Sequence, residues 1–188
     1  TAFFDKGPKF AHYRPSTAIL TSVELDHVDI FPSFDAVRDV FKKLIALMPE
    51  DGLLVVCAQS TDAVALAKHA TCRVEQYAVV DTNGDSAPTR RPSQVEIDAR
   101  EDEDPNTRPT WWAEHLEVGK SGRVAFDVFH KGERLERFES LLVGRHNVAN
   151  CVAAIAVCYS RGVSVKDIRR GVASFAGVRR RQELRGIA

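Results

Sequence analysis

The sequence predicts an α/β fold: a mainly parallel sheet flanked by helices, with a small antiparallel accessory sheet. Three observations carry this. Short apolar, β-branched runs alternate with helically spaced apolar residues between positions 17 and 80. A polar stretch poor in aliphatic residues follows at 81–110. Beyond it, three strand-like runs at 111–143 are separated by glycine-bearing turns, the pattern of an antiparallel meander.

Taken in order, Thr17 to Val23 reads as a buried strand with polar residues after it. Val37, Val40, Phe41, Leu44, Ile45 and Met48 recur at the spacing of an amphipathic helix from Phe34, stopped by Pro49. Gly52 to Ala58 is a second buried strand, Thr61 to His69 a helix, and Cys72 to Val80 a third strand. Residues 81–110, rich in Asp, Glu, Arg, Pro, Asn and Ser, read as an exposed connection. Trp111–Val118, Val124–His130 and Leu135–Val143 form the meander, turning at 119–122 and at Lys131-Gly132-Glu133. Two helices close the chain, from about Asn147 to Ser160 and from Val165 to Phe175.

The bulk properties exclude some functions. Lys+Arg and Asp+Glu both number 26, so no basic excess points to nucleic acid. Cys57, Cys72, Cys151 and Cys158 sit in apolar runs without C-x-x-C spacing, and read as buried thiols of a reducing compartment. No apolar run reaches the ~20 residues needed to cross a bilayer, which predicts a cytoplasmic protein without a membrane partner. The chain opens at Thr1 without an initiator methionine and closes at Ala188 without an obvious stop signal, so it reads as a segment of something larger.

Three constellations carry chemistry. In Gly144-Arg145-His146-Asn147-Val148-Ala149-Asn150, three side chains with both donors and acceptors lie on the first turns of an otherwise apolar helix, as a purine edge requires. Helix capping by Asn147 is the plainer alternative. Glu24-Leu25-Asp26-His27-Val28-Asp29 follows the first strand at the carboxyl edge, where open parallel sheets bind ligands. Its carboxylates and imidazole suit a divalent cation or a charged substrate, and equally a solvated acidic loop. Val178-Arg179-Arg180-Arg181-Gln182-Glu183 offers guanidinium groups to a triphosphate, or is a surface charge run. Gly119-Lys120-Ser121 imitates the end of a phosphate-binding loop, but Glu114 stands where the first glycine belongs and strands flank the segment. It reads as a hairpin turn.

Together these segments resemble the central domain of the Mur ligases, the ATP-dependent enzymes that build the peptide of bacterial peptidoglycan. Thr21 to His27 matches Thr-Asn-x-Glu-x-Asp-His with Ser22 in place of asparagine, Gly144 to Asn150 matches Gly-x-His-Asn-x-x-Asn in full, and Phe175 to Glu183 matches Phe-x-Gly-Val-x-x-Arg-x-Glu. The opening Thr1 to Lys6, with Lys9-Phe10 and His12-Tyr13-Arg14-Pro15, is more similar to the branch that attaches recycled L-alanyl-γ-D-glutamyl-meso-diaminopimelate to UDP-N-acetylmuramate than to the branch that adds L-alanine.

The resemblance implies a P-loop NTPase-like fold over residues 1–188, with ATP and Mg2+ as cofactors and UDP-N-acetylmuramate and a peptide or amino acid as substrates. It places His27 by the second magnesium and the acyl phosphate, His146, Asn147 and Asn150 beside adenine, and Arg181 at the ATP phosphates; His27 and Arg181 are the catalytic pair. Charge on the transferring phosphoryl group must be neutralised, which explains these residue types. The family's P-loop and acidic metal motif, and the N- and C-terminal domains of the parent, lie outside this chain, so it is expected not to turn over alone. Lys42, fifteen positions after His27, falls near where some relatives carry a carbamylated lysine, but also on the wet face of its helix. The rivals are a non-catalytic nucleotide-binding module and a metal-dependent hydrolase using Asp26, His27 and Asp29.

Overall fold

A computed structural model describes residues 8–25, 31–80 and 108–178. Their contacts form two compact units, one of residues 8–25, 31–77 and 108–109, the other of residues 78–80 and 110–178. The α/β class holds.

The first unit contains a short 3-10 turn at Lys9–His12, then β1 (Thr17–Leu20), α1 (Phe34–Ala46), β2 (Leu53–Cys57), α2 (Thr61–Ala67) and β3 (Arg73–Val79), with the unit boundary after Tyr77. β2 pairs in parallel with both neighbours, Thr17 opposite Leu53 on one side and Leu53 opposite Arg73 on the other. A central strand is covered on both faces, and Leu53, Leu54, Val55 and Val56 are all buried. Even residues of that run join Leu20, Val37, Ile45, Met48, Ala63 and Leu66 in one core. Both helices start on serine caps: the Ser33 and Ser60 hydroxyls accept from the N–H groups of Ala36 and Ala63. Arg38 Nε donates to Asp62 Oδ1 at 3.0 Å, tying α1 to α2. Thr21 and Ser22, expected to extend β1, lie past its end and are exposed, because the pairing with β2 stops at Leu20–Val56.

In the second unit β4 (Trp111–Val118), β5 (Val124–His130) and β6 (Glu133–Ser140) form the expected antiparallel meander, followed by α3 (Arg145–Ser160) and α4 (Val165–Ser174). α3 packs on β4 and α4 on β6, burying Trp111, Phe126, Val128, Phe138, Val152 and Ile155. Gly119 to Gly122 is a hairpin turn, with Gly119 N–H donating to Arg123 O at 2.8 Å. The second turn is tighter than the sequence suggests. Lys131 and Gly132 both have positive φ, 51° and 93°, which closes a two-residue hairpin and releases Glu133 to pair with His130. β6 therefore begins at Glu133 and not at Leu135.

A bulge between Glu114 and Glu117 turns His115 to φ 55°, and its imidazole meets Asp127 Oδ2 at 3.2 Å. Asp127 also accepts from Arg134 (2.7 Å) and Arg137 (3.2 Å). Burial alone would raise this carboxyl, but the two guanidinium groups and His115 outweigh it and hold Asp127 below its ordinary range.

Candidate functional site: a cleft at the start of helix α3

Helix α3 begins two residues before its expected start, and the cause is Gly144. Gly144 is the N-cap, at φ 106°, a backbone conformation open to glycine and strained for other residues. A Cβ there would also lie 3.2 Å from His146 Cε1. The glycine of the motif is thus needed both for the turn and for the imidazole packed on it. Arg145 fixes the same turn by donating to the carbonyl of Val79.

This start moves Asn147 into the first turn, so it does not cap the helix. Instead it is buried, and its Nδ2 donates to Val143 O at 2.8 Å, clasping the helix to the residues that lead into it. His146 and Asn150 are exposed, one turn apart on the same face.

All three side chains line one cleft of about 890 Å³. Its other wall comes from α4 and the residues after it, among them Phe175, Gly177 and Val178. Two motifs that the sequence separates by some thirty positions, Gly144–Asn150 and the opening of Phe175–Glu183, meet here. The physical reason is the short link 161–164, which folds α4 back along α3 so that the end of one lies beside the start of the other. His146, Asn147 and Asn150 gather at that end, and apart from Asp167 and the cysteines the rest is apolar, as in Ala154, Ile155, Ile168 and Val172. An apolar cleft with a few convergent donors and acceptors suits a planar heterocycle with a polar edge. Arg123 steadies the α4 wall, its Nη1 donating to Ala173 O at 3.0 Å.

His27 and Arg181, with Asp26, Asp29, Arg179 and Arg180, lie outside the described residues. So does 81–107 of the expected connection. Glu24 is exposed. Among the described residues no group of three or more His, Cys, Asp and Glu side chains gathers to hold a metal ion, and no helix is long and apolar enough to cross a membrane. Lys42 lies on the wet face of α1, its Nζ 3.1 Å from Asp39 Oδ1.

Sequence reasoning missed three cleft residues, Cys151, Cys158 and Asp167. The signal was present: 147, 151, 155 and 158 follow helical spacing down the face that carries the asparagines. Of the four cysteines, all free, only Cys72 is buried; the other three are half-buried. For Cys151 and Cys158 the correction follows from the cleft, which opens one side of α3 that an uninterrupted apolar run suggests is covered; Cys57 is the last residue of β2.

Residues 6–158 match the model of the Mur ligase middle domain. The chain is 29% identical over 178 residues to the UDP-N-acetylmuramate–L-alanine ligase of Acetivibrio thermocellus, covering 95% of this chain and 33% of that protein. It is 30% identical over 186 residues to the UDP-N-acetylmuramate–L-alanyl-γ-D-glutamyl-meso-2,6-diaminoheptandioate ligase of Haemophilus influenzae, covering 99% and 34%. The crystal structure of the UDP-N-acetylmuramate:L-alanyl-γ-D-glutamyl-meso-diaminopimelate ligase from Neisseria meningitides superposes with a TM-score of 0.67 at 30% identity, over 96% of this chain and 46% of that one. The chain spans about a third of the length of the curated relatives it matches. With its motifs, its α/β fold and a family match over most of its length in agreement, the chain belongs to the Mur ligase middle-domain family.

Proposed function

We propose that the chain is the nucleotide-handling part of an ATP-dependent carboxylate–amine ligase that joins L-alanyl-γ-D-glutamyl-meso-diaminopimelate to UDP-N-acetylmuramate in the cytoplasm, in peptidoglycan recycling. The observation that supports nucleotide handling is the convergence of His146, Asn147 and Asn150 with Phe175 and Val178 on one cleft, and the tripeptide rests on the similarity of Thr1 to Pro15 to that branch. The imidazole and the Asn150 amide offer donors and acceptors to the edge of adenine, while Phe175 and Val178 cover its face and keep water from it. ATP, when bound, supplies the phosphoryl group that turns a muramyl carboxylate into a centre the peptide amine can attack.

In the same reading Arg181 would neutralise charge on the phosphates of bound ATP, and His27 would help hold the magnesium. In this reading His27 and the parent's other parts would anchor that ion. The proposed partners are accordingly the N- and C-terminal domains of a longer chain. The relative from Acetivibrio thermocellus favours a second reading for the added group, L-alanine alone.

Competition decides between them: a full-length parent given ATP, UDP-N-acetylmuramate, L-alanine and the tripeptide is expected to yield the tripeptide adduct by mass spectrometry. Predominant L-alanine adduct would establish the second reading. The 188-residue chain alone is expected to show no ligation, because each phosphate contact it lacks is worth roughly 1.5–3 kcal/mol. Robust turnover by it would contradict the division of labour proposed.

A further inference from the structure

The nucleobase site proposed above occupies one end of the cleft. From His146 to Cys158 the α3 wall runs twelve residues, roughly 18 Å at the helical rise. Beyond Asn150 that wall changes character: Cys151, Ala154, Ile155 and Cys158 face Ile168 and Val172 across an apolar trough. Both cysteines are free and half-buried, two turns apart on one helix face, and both line the same cleft.

We propose that this trough is a thiol-modification site, taking a small, uncharged disulfide with an aromatic or aliphatic body that exchanges with Cys158 first and Cys151 second. The body fills the apolar trough, where transfer from water is favourable. The cysteine thiolate attacks the nearer sulfur of the reagent, its S–S bond breaks as the protein–reagent S–S bond forms, and the departing thiolate takes up the proton that the cysteine released. No net oxidation occurs.

The surroundings of Cys151 order the thiols. The Cys151 thiol donates to Ser140 Oγ at 3.9 Å, and burial pushes it up, away from the thiolate that reacts. Cys158 lies at the other end of the trough, by Val163 and Asp167. An adduct on Cys151, one turn from Asn147, would project toward the base end of the cleft and exclude a nucleotide. That last consequence alone rests on the nucleotide reading.

The test treats the native 188-residue chain with 4,4′-dithiodipyridine, following thiopyridone release by absorbance and mapping adducts by mass spectrometry. Cys158 is expected to lead, Cys151 to follow, and buried Cys72 to lag by about tenfold or more. Cys158→Ser should remove the fast phase while circular dichroism stays unchanged. Release from Cys158 no faster than from Cys72, or only after unfolding in urea, overturns the site. Saturating adenosine should slow the Cys151 reaction severalfold and leave Cys57 unaffected. Fast cleft labelling that adenosine does not slow would keep the modification site and remove the nucleotide reading.

Discussion

Gly144, Asn147 and Asn150 stand in one motif for different physical reasons, and substitutions separate them. Gly144→Ala meets both a positive φ and the His146 ring, so about 1–3 kcal/mol of stability should be lost, read as a lower urea midpoint. Asn147→Ala removes the bond to Val143 O from a buried position and should cost roughly 1–2 kcal/mol in the same assay. Asn150→Ala, on the exposed face, should stay within about 0.5 kcal/mol of the parent while weakening nucleotide binding in calorimetry. Equal destabilisation by both asparagine substitutions would refute this division. The residue types that suggest a purine edge were legible in the sequence, as amides and an imidazole on an apolar helix. Asn147's structural duty was not, because it depends on where the helix starts, and Gly144 sets that through a dihedral angle.

At the scale of elements, the meander is held by two devices. Its second turn places Lys131 at φ 51°, where asparagine is tolerated better, so Lys131→Asn should raise the melting temperature by stabilising the hairpin about 0.5–1 kcal/mol. A lower melting temperature would show that the Lys131 side chain contributes something the turn geometry does not.

The other device is Asp127, whose carboxylate gathers donors from β4 and β6. Its folded value is depressed, so its contribution is present above the ordinary aspartate range and is lost as pH falls through the lowered value. Asp127→Asn should therefore destabilise by roughly 1.5–3 kcal/mol at pH 7, with the gap to the parent closing on acidification in urea titrations. A gap independent of pH would assign the loss to packing instead. The strands themselves were legible from alternation and turn residues. The network was not, since cross-strand register and the bulge at His115 decide which charges meet.

For the molecule as a whole, balanced charge and apolar patterning set what the chain can be. With 26 cationic and 26 acidic side chains, duplex DNA should not bind measurably at about 0.15 M salt in a fluorescence-anisotropy titration. Tight binding there would mean that a local basic patch outweighs the neutral total. By itself the sequence determined the α/β class, the order of strands and helices, and the residue types of the proposed nucleotide motif, because periodicity and turn chemistry act over a few neighbouring residues. Only the tertiary structure decided that Phe175 and Val178 line one cleft with His146 and Asn150, and that Cys151 and Cys158 share it. Those meetings depend on α4 folding back along α3 and on the rotation of α3 about its axis, quantities set by packing across the whole unit and not by any local run of residues.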